Sequence, residues 1–310
     1  MIATIRVGSR GSHLAKVMVA EVTAPLRAAH PDIAWKQHTV MTAGDHDRTS
    51  RLADLATSET SLFAGALETA LLAGDVDVAV HSLKDLATTP TPGTRIAALP
   101  RRADPRDALC GARLADLPTA ARIGTGSPRR IAQLRALRPD ITTSPIRGNV
   151  PPRLRRSRVM GLDGLVLAAA GLHRLGLSGE ITETLDAGTY PPSPAQGAIA
   201  VQIRDGEDRL RDLLAPLHDE ETAAAVTAER AMLAELHGGC SVPVGALATA
   251  TNGQLRLTAQ VTSLDGTTVI RTAQTGPRTD PADLGRRSAA ALLDQGAEHI
   301  LAQIRETPTP

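Results

Sequence analysis

At 310 residues, with 34 Lys and Arg against 33 Asp and Glu, the chain is long enough for two or three domains and too balanced to bind a polyanion by charge alone. Its three aromatics, Trp35, Phe63 and Tyr190, argue against base-stacking recognition of nucleic acid, and no apolar run approaches a membrane span. Two distant cysteines, Cys110 and Cys240, give no disulfide framework; with no signal-peptide pattern at the start, the expected location is the cytoplasm.

In chain order, "IATIRV", a helix from about Ser12 to Ala29, "IAWKQHTV", a helix from about Leu62 to Ala73 and "VDVAVHS" give the βαβ rhythm of an open, mostly parallel sheet. The stretch "TTPTPG" to "LPRRADPRDAL" reads as a crossing between domains. The rhythm resumes with "ARIGTG", a helix from about Ser127 to Leu137 and the strand "GLVLAAA". "AIAVQI" is then a candidate for re-entry into the first sheet. From Glu220 the pattern becomes one helix and three strands, with Leu255, Leu257, Ala259 and Val261 alternating at period two. Asn252-Gly253 and Asp265-Gly266 mark hairpins, and Asp280 with Pro281 starts a last helix. The expected domains are residues 1–98 with 198–216, residues 103–192, and residues 219–310.

Arginine dominates the basic residues, which codon usage explains unless position says otherwise, since a planar guanidinium also binds carboxylates and phosphates bidentately. Position is informative. Ligands of open α/β sheets bind beyond the carboxyl ends of strands. "VGSRGS" places Arg10 and Ser12 there, and "VDVAVHSLKDL" places Ser82, Lys84 and Asp85. "RIGTGSPRR" places Thr125, Ser127, Arg129 and Arg130 at a helix N-terminus, where free N–H groups favour an anion, without a Walker loop or dinucleotide fingerprint. "PIRGNVPPR" adds Arg147 and Arg153, and "GLHRLG" adds Arg174. Singly, each is a solvated surface charge. Together they outline a ligand with many carboxylates or phosphates held between two lobes, with Asp85 placed to stabilise a cation.

"LAELHGGCSVPVGALA" ends a helix on Gly238 and Gly239, read as its C-cap, and puts Cys240 on a turn before an apolar strand. Two readings stand at that point: a small buried hydrophobe, or a thiol to which another body comes close.

"AVHSLKDL", "DPRDAL", "GTGSPRR", "IRGNV", "LAAAGLHRLG", "QGAIAV", "TAERAML" and "GGCSVPVG" occur in the order and spacing of the porphobilinogen deaminases, so that the chain resembles that family from about Ile5 to Ile304. The resemblance implies two periplasmic-binding-protein-like doubly wound α/β domains plus a small α/β domain with an antiparallel sheet. It implies a dipyrromethane cofactor held by a thioether to Cys240, with Lys84, Ser82, Thr125, Ser127, Arg129, Arg130 and Arg153 around it. Arg10, Ser12, Arg147, Arg174, Phe63 and Gln196 would bind the substrate porphobilinogen, and Asp85 would be catalytic. No metal, nucleic acid or membrane is implied, and a monomer is expected.

The sequence also departs from the family. Where a glycine-rich lid is usual it reads "LADLATSETSLF", with Glu59 added. Pro151-Pro152 precedes Arg153, "SPAQG" stands for the usual "PAPGQG", and Gln202 stands where Glu is common. These leave open a specialised relative releasing a shorter or different pyrrole product, and a noncatalytic binding module on the same scaffold.

Overall fold

The structure, a computed structural model, describes residues 3–41, 64–237 and 242–306. The chain forms two compact units, residues 1–103 with 198–223 and residues 104–197 with 224–310.

The first segment runs β1 (Ala3–Arg10), α1 (His13–Ala29), β2 (Ile33–Val40), α2 (Gly65–Leu72), β3 (Val78–Ser82) and β4 (Thr94–Ala98). The second runs β5 (Asp107–Gly111), β6 (Arg122–Gly124), α3 (Pro128–Leu137), β7 (Thr142–Ser144), α4 (Val150–Val159), β8 (Gly164–Ala168), α5 (Ala169–Arg174) and β9 (Glu183–Thr184). The chain then returns as β10 (Ile199–Arg204) and α6 (Asp208–Leu214). It ends in α7 (Glu220–Glu235), β11 (Val244–Thr251), β12 (Gln254–Thr262), β13 (Val269–Pro277), α8 (Pro281–Asp294) and α9 (Ala297–Glu306).

The first unit holds a sheet of order β2-β1-β3-β10-β4. Because successive strand residues face opposite sides, Val78 and Val80 join Val22 and Leu26 of α1 in one core, while Ala79 joins Leu67 and Leu71 of α2 on the other face. The second unit repeats the design in the order β7-β6-β8-β5-β9. Leu165 and Leu167 pack with Leu154 of α4, and Val166 packs with Leu134 of α3. Helices on both faces make each sheet doubly wound.

The sheets are mixed rather than mostly parallel. β1 pairs parallel with β2 and β3, and β6 with β7 and β8, but β10 and β5 pair antiparallel with their neighbours. Each of these two strands enters its sheet from the other unit, so no local crossover helix obliges it to run parallel. "GLVLAAA" also stops early, because Ala169 and Ala170, buried and strong helix formers, open α5.

The third sheet, β11-β12-β13, is antiparallel. Leu255, Leu257, Ala259 and Val261 are all buried against Met232 of α7, Leu284 and Leu292 of α8 and Leu301 of α9. Asn252 (φ 51°) and Gly253 (φ 75°) form the tight β11–β12 turn, whose two left-handed positions explain the Asn-Gly pair. Asp280 caps α8 by accepting the Asp283 N–H at 3.2 Å. No helix among the described residues is long and apolar enough to cross a membrane.

Candidate functional site

In the first unit, β1 and β3 run parallel and end at the same edge of the sheet. β1 delivers Arg10, half-buried, and Ser12, which is the N-cap of α1; its Oγ accepts the Ala15 N–H at 3.2 Å. β3 ends in Ser82 and a 3₁₀ turn, Leu83–Asp85. Leu83 and Leu86, three residues apart, are buried, and the Leu83 N–H donates to the Ala198 carbonyl at 3.0 Å. Those two anchors leave Lys84 and Asp85 half-buried on the other side of the turn. Behind this strand end His81 is buried, and burial pushes its pKa down to about 4, so it is neutral at pH 7. Beside it Gln202 donates to Glu68 and to Thr94 Oγ1, both at 2.8 Å.

The second unit builds its strand ends differently. Ser127 is the N-cap residue of α3, yet its side chain makes no capping bond. Thr125 is buried and its Oγ1 accepts the Ser127 N–H at 3.3 Å. Arg129 and Arg130, which the sequence alone presents as surface cations, have side chains only 4% and 8% exposed. Both clasp Asp107, itself fully buried at the start of β5: Arg129 Nη2 at 2.7 Å and Arg130 Nη2 at 2.6 Å. Gln196 donates to the same carboxylate at 2.9 Å and to the Pro105 carbonyl at 2.8 Å. The two guanidinium groups and this amide hold the Asp107 carboxyl well below the usual carboxylate range against the opposing effect of burial. Two cations against one carboxylate leave one positive charge in a dry environment, which an incoming anion would neutralise.

Arg147 and Arg153 are half-buried around the start of α4. Pro151 and Pro152 occupy the first turn of that helix, so it offers fewer free N–H donors than an ordinary helix N-terminus, and anion binding there falls to the guanidinium groups. Arg174, at the end of α5, donates through Nη2 to the Gly197 carbonyl at 3.1 Å. Gln196 is wholly buried, which places it behind Asp107. Cys240, its glycines Gly238 and Gly239, Phe63 and the segment from Leu52 to Phe63 lie outside the described residues. The other cysteine, Cys110, is buried in β5, and burial pushes its thiol up to about 11, which keeps it protonated and unreactive.

Sequence reasoning gave Asp107 no role, although a carboxylate opening the apolar strand "DALC" is a signal that a buried cation lies opposite. It also missed Glu229. That carboxylate, fully buried on α7, accepts the Ala195 N–H at 2.6 Å and the Ala248 N–H at 2.8 Å.

A family model described as "Porphobilinogen deaminase, dipyromethane cofactor binding domain" matches residues 5–212, and one described as "Porphobilinogen deaminase, C-terminal domain" matches residues 223–294. The chain is 47% identical to the porphobilinogen deaminase of Acidothermus cellulolyticus, covering 100% of this chain and 94% of that one. It is 47% identical to the enzyme of the same name from Roseiflexus castenholzii, over 96% and 99% of the two chains. Among solved structures it aligns with a TRAP periplasmic solute binding protein from Desulfovibrio salexigens at 10% identity, covering 72% of this chain and 74% of that one, with a TM-score of 0.43. Two family models in tandem, and relatives alike from end to end, leave one conclusion: the chain belongs to the porphobilinogen deaminase family.

Proposed function

We propose that the protein is a hydroxymethylbilane synthase, condensing four porphobilinogen molecules, with uptake of one water and release of four ammonia, into linear hydroxymethylbilane. The observation that carries the reading is the pair of buried arginines, Arg129 and Arg130, sharing one carboxylate beside a helix N-terminus that lacks a side-chain cap. A substrate whose every pyrrole bears carboxylates matches that donor set. A dipyrromethane linked to Cys240 supplies, when bound, the nucleophilic pyrrole carbon and the tether for chain growth.

The chain's own residues hold and polarise. Arg129, Arg130, Arg153, Thr125, Ser127, Lys84 and Ser82 would receive the cofactor's carboxylates; Arg10, Ser12, Arg147, Arg174, Phe63 and Gln196 would serve the substrate. Ser12 and Gln196 would do so indirectly, one by capping the start of α1 next to Arg10 and the other through Asp107, by orienting the arginines that hold the pyrrole to which the substrate adds. Asp85 accepts pyrrole N–H groups and stabilises the positive charge that develops as ammonia leaves. Asp85→Asn keeps the size and loses the charge. Turnover should fall at least about a hundredfold with substrate still bound, as for removal of one electrostatic stabiliser; near-normal turnover would remove Asp85 from the mechanism.

The three sheets and their separate cores support a division into three domains, residues 1–98 with 198–216, 103–192 and 219–310, although the last two pack as one compact unit. A cytoplasmic monomer is the form we propose. Analysis of pyrroles released from excess porphobilinogen tests product length. A tetrapyrrole closing to uroporphyrinogen I supports the synthase, only mono- or dipyrroles would support the specialised relative, and no turnover would support the binding module.

A further inference from the structure

The segment "YPPSPAQ", residues 190–196, has hydrogen bonds on two sides. Toward the arginine cluster, Tyr190 donates its hydroxyl to the Arg130 carbonyl at 3.1 Å, and the Pro191 carbonyl accepts from Arg129 Nη1 at 3.1 Å and Gln133 Nε2 at 3.2 Å. Gln196 closes that side on Asp107. Toward the last domain, the Pro192 carbonyl accepts the Ala246 N–H at 2.8 Å, and the Ala195 N–H donates to Glu229. The approach is close: a Cβ at Gly245 would lie 2.5 Å from the Pro191 carbonyl oxygen, so β11 can meet the segment there only with glycine.

Glu229 and Ala246 flank Cys240 in the sequence, eleven residues before it and six after. Residues 190–196 thus bind α7 through Glu229 and β11 through Ala246, and those same residues grip Arg129 and Arg130. Ala195, fully buried, has a φ of 62°, a left-handed conformation that residues with a Cβ rarely adopt. The buried Glu229 carboxylate, accepting its N–H, holds it there.

We propose that residues 190–196 are a positioning strap that ties α7 and β11 to the arginines that receive carboxylates, with Gln196 and Glu229 as its positioning residues. Glu229 sets the strap from α7 through the Ala195 N–H. Gln196, the next residue, passes that setting to Asp107, whose two oxygens orient the two guanidinium groups. This inference rests on the carboxylate-binding reading of Arg129 and Arg130.

The test uses cofactor-loaded protein, with loading counted by intact mass, and compares KM and kcat for porphobilinogen in wild type, Gln196→Met, Glu229→Gln and the double variant. Each single variant should lower kcat about tenfold with KM within about twofold, because Arg129 and Arg130 hold the cofactor and not the incoming substrate, and the double variant should be little worse than either, because both act through one connection. A wild-type kcat in the loaded variants would overturn the proposal. Additive effects would overturn it as well, since a Gln196 that touched substrate directly would act independently of Glu229. Should Glu229→Gln fail to fold, Glu229→Asp, which keeps the charge and shortens the reach, takes its place in the cycle. If wild type itself does not turn over porphobilinogen, it is the functional reading that fails.

Discussion

Two strand-turn-helix corners, "GSRGSHL" in the first unit and "GTGSPRR" in the second, look alike in sequence and are used differently. In each a strand ends, a glycine follows and a serine precedes the helix. At the first corner Ser12 caps α1 with its own oxygen, so the helix terminus is satisfied from within. At the second, Ser127 stands in the capping position without a capping bond, and two arginines follow it with an excess of positive charge. A helix N-terminus becomes an anion site when its own side chain leaves the donors free. The buried polar groups behind the two units' strand ends differ in the same sense: His81 is kept neutral, whereas Asp107 is kept charged and doubly paired.

Removing the charge at Asp107 should have the largest effect on stability. Asp107→Asn leaves two buried guanidinium groups with an acceptor that carries no charge, and breaking a buried pair costs about 3–5 kcal/mol. Urea unfolding should show it as a lowered midpoint. A loss below about 1 kcal/mol would mean that water reaches the cluster and that its charge balance does not matter.

The neutral histidine gives the next effect, and it depends on pH. The folded pKa of His81, about 4, lies below its unfolded value of 6.5, so the stability that comes from keeping it neutral is complete above pH 6.5 and declines as pH falls toward 4. The slope is about 1.4 kcal/mol per pH unit and the total roughly 3 kcal/mol. Asp107, with its folded pKa lowered, contributes stability that is present above its unfolded value of 3.8 and lost below it, so the two windows are separate. His81→Gln should flatten the unfolding midpoint between pH 6.5 and 4 and leave the lower limb unchanged; an unaltered profile would place the titration elsewhere.

The serines give the smallest effect and the sharpest contrast. Ser12→Ala should destabilise by about 1 kcal/mol through the lost cap. Ser127→Ala should change stability by less than half of that and weaken the hold on the cofactor's carboxylates instead. Thermal unfolding and the turnover of cofactor-loaded protein, measured on both variants, decide; equal losses of stability would erase the distinction between the corners.

Much of this was legible in sequence because it is local. The helix expected from about Ser127 to Leu137, the Asn252-Gly253 turn, the Asp280 cap and the buried alternation from Leu255 to Val261 each follow from residues within a few positions of one another. The strand ends carrying Asp85 and the arginines were legible for the same reason. What escaped depends on distant pairs. Arg130 meets Asp107 across 23 residues and Glu229 meets Ala195 across 34, so periodicity could show neither the burial of the arginines nor the strap. The antiparallel β5 and β10 escaped as well, because only the chain's exchange between units sets their direction.

On the proposed function Cys240 carries the cofactor while Cys110, buried with its thiol pushed up to about 11, does not. Intact mass of the denatured protein after supply of porphobilinogen, with the modified residue located by peptide mapping, tests it most directly. An excess of two linked pyrrole units is expected on Cys240, abolished by Cys240→Ser and kept in Cys110→Ser. An unmodified chain, or pyrroles on Cys110, would contradict it.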